Sequence, residues 1–117
     1  MKPERQMQVV VLWEQLLHEL LDVGNKFPKS VRPVVTNRML NYAFDVLDVL
    51  VTAQYSETLL QEPHLIEAQL FINKVRVLLR IACVERWLSE GRLIALSEKI
   101  DAVSKGVYGW QESLSTV

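Results

Sequence analysis

The sequence predicts an all-α fold, an antiparallel up-down four-helix bundle in a single domain over residues 1–117, and two observations lead there. Half of the residues are hydrophobic while only four are Gly and four Pro, and the apolar set is rich in Leu, Val and Ala, which favours helices over a turn-rich β fold. Conspicuous breaks fall at Gly24-Asn25-Lys26-Phe27-Pro28, at Glu62-Pro63 and at Glu90-Gly91, and they delimit four segments with helical periodicity. A chain of 117 residues without a linker-like stretch is the size of one domain.

The first segment, residues 5–24, puts Val9, Leu12, Trp13, Leu16, Leu17, Leu20 and Val23 on one side, with Glu14, Gln15, His18, Glu19 and Asp22 opposite. The second begins after Pro28, with Ser30 as N-cap and Pro33 in the first turn, and runs to Ser56. Its polar stripe, from Asn37 and Arg38 to Thr52, is narrow, which predicts a heavily buried helix. The fourth, residues 92–113, carries the seam Leu93, Leu96, Ile100, Val103 and Val107, the spacing of a helix that closes a bundle.

The third segment, residues 63–89, has two apolar faces. Leu65, Ala68, Phe71, Ile72, Val75, Leu78, Leu79, Ala82 and Cys83 form the broad one, and Ile66, Leu70, Val77, Ile81, Val84 and Leu88 form a second behind it. Burying a large aliphatic side chain is worth ~1.5–3 kcal/mol, so leaving six in water forgoes roughly 9–18 kcal/mol as an upper bound. Either a wide core absorbs this second face or another copy of the chain covers it, and the size of the term favours self-association.

Charge excludes some classes of function. Thirteen basic against fourteen acidic side chains give a net −1, so no global field draws the chain to nucleic acid or an anionic membrane. Two windows without acids stand out locally. Lys26, Lys29, Arg32 and Arg38 lie between Asp22 and Asp45, and Lys74, Arg76 and Arg80 lie between Glu67 and Glu85, the last two sharing a stripe with Gln69, Asn73 and Trp87. If the windows converge they form a phosphate-binding surface with amides and an indole beside it; apart, they are solvated helix faces, and Arg80 could instead pair with a carboxylate.

No catalytic constellation is present. Glu14 and His18 lie on an outward face, a di-metal bundle requires Glu-x-x-His pairs from two helices, and no Gly-rich phosphate loop occurs. Cys83 sits on the broad face of its helix without a local base. The reading is therefore a binding module and not an enzyme, with no metal and no cofactor. A single cysteine and no signal-peptide or membrane-span pattern, the run Val9–Trp13 being followed by Glu14, His18 and Glu19, make the cytoplasm the expected compartment.

The order of elements carries a resemblance: a one-sided first helix, then Phe27-Pro28-Lys29-Ser30-Val31-Arg32, Leu78-Leu79-Arg80-Ile81-Ala82, Leu96-Ser97-Glu98-Lys99-Ile100-Asp101 and Val107-Tyr108-Gly109-Trp110. From Trp13 to Trp110 the chain resembles the four-helix-bundle family containing the accessory variability proteins of diversity-generating retroelements and the proteins of intervening sequences in bacterial ribosomal RNA genes. The resemblance implies a homopentameric barrel. It also implies an adaptor that binds the retroelement's reverse transcriptase and template RNA or cDNA in support of mutagenic reverse transcription. Lys29, Arg32 and Arg80 fall at matched positions, and with Lys26, Arg38 and Arg76 they are the expected partner-binding residues. The second helix-three face is the expected oligomer interface. The competing reading is a structural or protein-interaction bundle of the intervening-sequence type, without nucleic-acid binding.

Overall fold

The computed structural model describes residues 1–115, so the last two residues of the expected domain lie outside the described residues. Four helices run antiparallel in sequence order, each packed on its sequence neighbours and the first also on the fourth, in a body of 48 × 25 × 18 Å. Among the described residues there is no strand.

Helix α1, Pro3–Asn25, begins with Pro at its first position, where a missing N–H costs nothing, and buries Val9, Trp13, Leu16, Leu20 and Val23. The second helix starts later than the sequence suggests. Ser30 caps nothing; the chain instead takes a π-helical turn over Arg32–Thr36 that accommodates Pro33, and regular α2 spans Asn37–Gln54. Its buried stripe is Met39, Ala43, Val46, Leu50 and Ala53, whereas Phe44 and Val51 are exposed, so α2 is less buried than its narrow polar stripe implied.

A short 3-10 turn, Thr58–Leu60, leads into α3, Gln61–Val84. This helix stops five residues before the position that periodicity gave. Arg86 adopts a left-handed conformation (φ 65°), the Trp87 N–H reaches the Ala82 carbonyl (2.8 Å), and the Arg86 N–H reaches that of Cys83 (3.0 Å). This is a Schellman termination with arginine where glycine is usual, which left no glycine signal to read. Helix α4, Glu90–Leu114, then begins at Ser89, whose hydroxyl accepts the Arg92 N–H at 3.1 Å.

The core runs through all four helices, with Trp13, Trp110, Phe27, Met39, Leu50, Leu65, Ile72, Leu79, Leu96 and Ile100 among its fully buried members. Its polar groups are satisfied. Trp13 Nε1–H donates to the Ala43 carbonyl at 2.8 Å, tying α1 to α2. Gln61 accepts from Trp110 Nε1–H (3.0 Å) while its own amide donates to the carbonyls of Ala53 (3.0 Å) and Ser56 (3.2 Å). Two glycines permit close helix approach: a Cβ on Gly106 would lie 2.8 Å from a methyl of Val9, and one on Gly24 2.8 Å from a methyl of Thr36.

Candidate nucleic-acid and assembly surfaces

The up-down topology brings the α1–α2 and α3–α4 connections to one end of the bundle, and the α2–α3 connection with the start of α1 and the end of α4 to the other. At the first end the connections touch through the rings of Phe27 and Trp87, whose centroids are 5.9 Å apart. Trp87 therefore lies off the helix, half-buried against Phe27, and is not the free indole beside Arg76 and Arg80 that the sequence suggested.

Charge is sorted between these ends. Within the connections and the two outermost turns of each helix, the first end holds Lys26, Lys29, Arg32, Arg38, Arg80, Arg86 and Arg92 against Glu19, Asp22, Glu85 and Glu90. Among the charged side chains of the described residues, the other end holds Lys2 and Arg5 against Glu4, Asp48, Glu57, Glu62, Glu67 and Glu112. A chain with net charge −1 is thus a bundle with one basic and one acidic end.

The predicted partner-binding residues divide on this map. Lys29, Arg38 and Arg80 are exposed and make no ion pair among the described residues. Lys26 pairs with Asp22 one turn back (3.1 Å), and Arg32 Nε–H donates to the Phe27 carbonyl (2.8 Å), which holds the α1–α2 connection in shape. Arg76 sits farther along α3 and binds Asp101 of α4 at 2.7 Å with its side chain three-quarters covered, so it joins two helices. The pairing that the sequence allowed for Arg80 is made by Arg76. Sequence reasoning missed Arg86 and Arg92; Arg92 lies 3.9 Å from Glu19, which also takes Lys99 at 2.7 Å.

The second face of α3 is present and open. Ile66, Leu70, Val77, Ile81 and Val84 are 42–80 % exposed and lie opposite the buried stripe Leu65, Ala68, Ile72, Val75, Leu79 and Ala82. Leu88 does not belong to it: the Arg86 turn directs the chain back, and Leu88 is 7 % exposed within the core. A separate apolar area lies on the outside of α1, where Met7, Val11 and Leu12 line a shallow hollow of about 760 Å³ with Gln8, Gln15 and Gln54.

The residues able to do chemistry are dispersed. His18 is exposed on α1 and His64 lies half-buried in the first turns of α3. Among the described residues no three His, Cys, Asp or Glu side chains are grouped to hold a metal ion, and no helix is long and apolar enough to cross a membrane. Among the described residues only Tyr108 shows a shifted ionisation, above the ordinary value of 10.0, because it hydrogen-bonds Glu112 and faces that carboxylate's charge. Trp110 is a packing anchor in the core.

A family model described as bAvd-like matches residues 6–114, from the first turn of α1 to the end of α4. No curated protein and no solved structure matches the chain.

Proposed function

This chain belongs to the bAvd-like family, and from that premise we propose that it is an accessory protein of a diversity-generating retroelement, a non-catalytic oligomeric adaptor that holds a reverse transcriptase together with its template RNA or cDNA. The observation that carries the nucleic-acid part is the gathering of Lys29, Arg38, Arg80, Arg86 and Arg92 at one end of a nearly neutral bundle. Phosphates are recognised by local cations, so a basic end serves where net charge does not.

Assembly is proposed through the open α3 face, with a homopentameric ring as the family likeness implies. A second apolar area on α1, around Met7, Val11 and Leu12, gives one protomer two different patches on different sides. Pairing of unlike patches produces a head-to-tail contact, which closes into a ring where the rotation between neighbours returns to the first protomer and otherwise extends as a filament. The Arg76–Asp101 ion pair favours the structural reading for that one arginine, which joins α3 to α4 rather than awaiting a partner. The reading places the protein in the cytoplasm, as a single domain with no cofactor.

Light scattering tests the assembly: a mass near five times 13.5 kDa is expected, and a monomer would overturn it. Titration with template RNA at several salt concentrations tests the basic end. About five phosphate contacts give log K against log salt a slope near −4. Lys29→Glu with Arg80→Glu should weaken binding with helicity unchanged. RNA affinity absent at low salt would favour the structural bundle instead.

A further inference from the structure

The end opposite the cations carries the two barest large apolar side chains among the described residues. Leu59 is 88 % and Tyr55 84 % exposed, with Leu60 beside them at 59 %, all within the connection between α2 and α3. They are not on a loose loop. The Leu60 N–H bonds the Glu57 carbonyl at 2.8 Å in the 3-10 turn, the Ser56 hydroxyl donates to the Thr52 carbonyl at 2.6 Å, and the buried Gln61 amide grips the Ala53 and Ser56 carbonyls. A held turn presenting apolar side chains loses little conformational entropy when a partner covers them.

Charge says what kind of partner fits. Glu57 and Glu62 flank the anchors, and neither makes an ion pair among the described residues. At the basic end Glu19 and Asp22 are paired and Glu85 and Glu90 are not, but cations outnumber carboxylates there, whereas carboxylates outnumber cations at the tip. Nucleic acid and anionic lipid are repelled by such a surface, and tip-to-tip contact of two copies would set like charges together. We propose that the α2–α3 tip is a docking surface for a basic, apolar-studded segment of a protein partner, with Tyr55, Leu59 and Leu60 as anchors and Glu57 and Glu62 as counter-charges.

The inference rests on the adaptor reading to the extent that it puts the protein partner and the nucleic acid on opposite ends of the bundle. The partner then meets no competition from RNA for the same residues. A partner that itself handles nucleic acid carries basic segments, and the acidic tip recognises that chemistry.

The test uses the full chain and a fluorescein-labelled 18-residue helical peptide of Leu and Lys as probe, followed by anisotropy, with the same peptide carrying Glu for Lys as control. The basic peptide should bind and the acidic one should not. Leu59→Ser with Leu60→Ser, and separately Glu57→Lys with Glu62→Lys, should each weaken binding at least tenfold with far-UV circular dichroism unchanged. Val34→Ser and Ile94→Ser, at exposed apolar positions of the basic end, should leave it within twofold. No binding of the basic peptide, or an equal loss in the Val34 and Ile94 variants, would overturn the proposal. Template RNA titrated against the same tip variants separates the two readings: affinity retained supports opposite ends, and affinity reduced refutes them. RNA that binds neither the parent chain nor the variants defeats the adaptor reading while the peptide result still stands.

Discussion

Replacing Gln61 with Leu removes the one side chain that ties α2, α3 and α4 together at the acidic end. In the native bundle Gln61 is buried, accepts from Trp110 Nε1–H at 3.0 Å, and donates to the carbonyls of Ala53 and Ser56 at 3.0 and 3.2 Å. Leu fills nearly the same volume, so the loss is of hydrogen bonding and not of packing. The partners left behind suffer unequally. Ala53 already accepts the Ser56 N–H at 3.1 Å, whereas the indole N–H of the fully buried Trp110 is left without a partner. A net hydrogen bond is worth about 0.5–1.5 kcal/mol and an orphaned buried donor costs about 1–3 kcal/mol. Together they predict a destabilisation of about 2–4 kcal/mol for Gln61→Leu, read as a fall in the urea midpoint at unchanged slope. Trp110→Phe removes the donor itself, so the double variant Gln61→Leu/Trp110→Phe should be less destabilised than the sum of the singles by at least about 1 kcal/mol. Additive effects, or a loss under about 1 kcal/mol for Gln61→Leu, would refute the assignment of this bond as the clasp of the acidic end. In an oligomer the comparison is made at fixed protomer concentration.

Further outcomes follow from other particular contacts. Arg86→Gly relieves a left-handed arginine, worth about 1–2 kcal/mol, against a backbone-entropy loss of about 0.5–1 kcal/mol, so a small gain in urea stability is expected. The same change removes a cation from the basic end and should make the RNA salt slope shallower by up to about 1. Leu70→Glu with Ile81→Glu puts charge on the exposed α3 face and should convert the oligomer to a folded protomer by light scattering; retained mass would remove that face from the interface. Glu112→Gln removes the carboxylate that holds the Tyr108 phenol protonated, so the alkaline absorbance transition of Tyr108 should move to lower pH. The sign follows from the neutral phenol being the form that donates to the carboxylate.

Periodicity revealed α1 and α4 because each buries one stripe, and the outer face of α3 was visible on the wheel for the same reason. Two features resisted. The end of α3 depends on Arg86 adopting a conformation that glycine usually supplies, and that shifted Leu88 from the outer face into the core. The start of α2 depends on how the π-helical turn accommodates Pro33, a choice made by packing around Thr36 and Gly24, whose carbonyl accepts the Thr36 hydroxyl at 3.1 Å. The candidate site was legible only in halves. The acid-free windows were found, but whether they meet depends on topology, and Arg76 finds Asp101 twenty-five residues away. The complementary signal lay unread: between Arg38 and Lys74 there is no Lys or Arg, while Asp45, Asp48, Glu57, Glu62 and Glu67 all fall there. That stretch is the descent of α2 and the ascent of α3, which is why the end it turns through is acidic.

The sorting of charge makes the symmetry of assembly consequential for function. If two copies met through their α3 faces about a two-fold axis perpendicular to the helices, each basic end would lie beside an acidic one and the poles would cancel. A head-to-tail ring whose axis runs along the helices keeps every protomer in the same direction. Its like ends then share one rim, and the cations of each protomer add to those of the next, as do the carboxylates on the opposite rim. A weak local patch becomes a multivalent surface without any new contact. The adaptor reading therefore asks for cyclic assembly on physical grounds independent of family likeness. A protomer held monomeric by Leu70→Glu with Ile81→Glu should lose far more RNA affinity than its own unchanged cations would suggest.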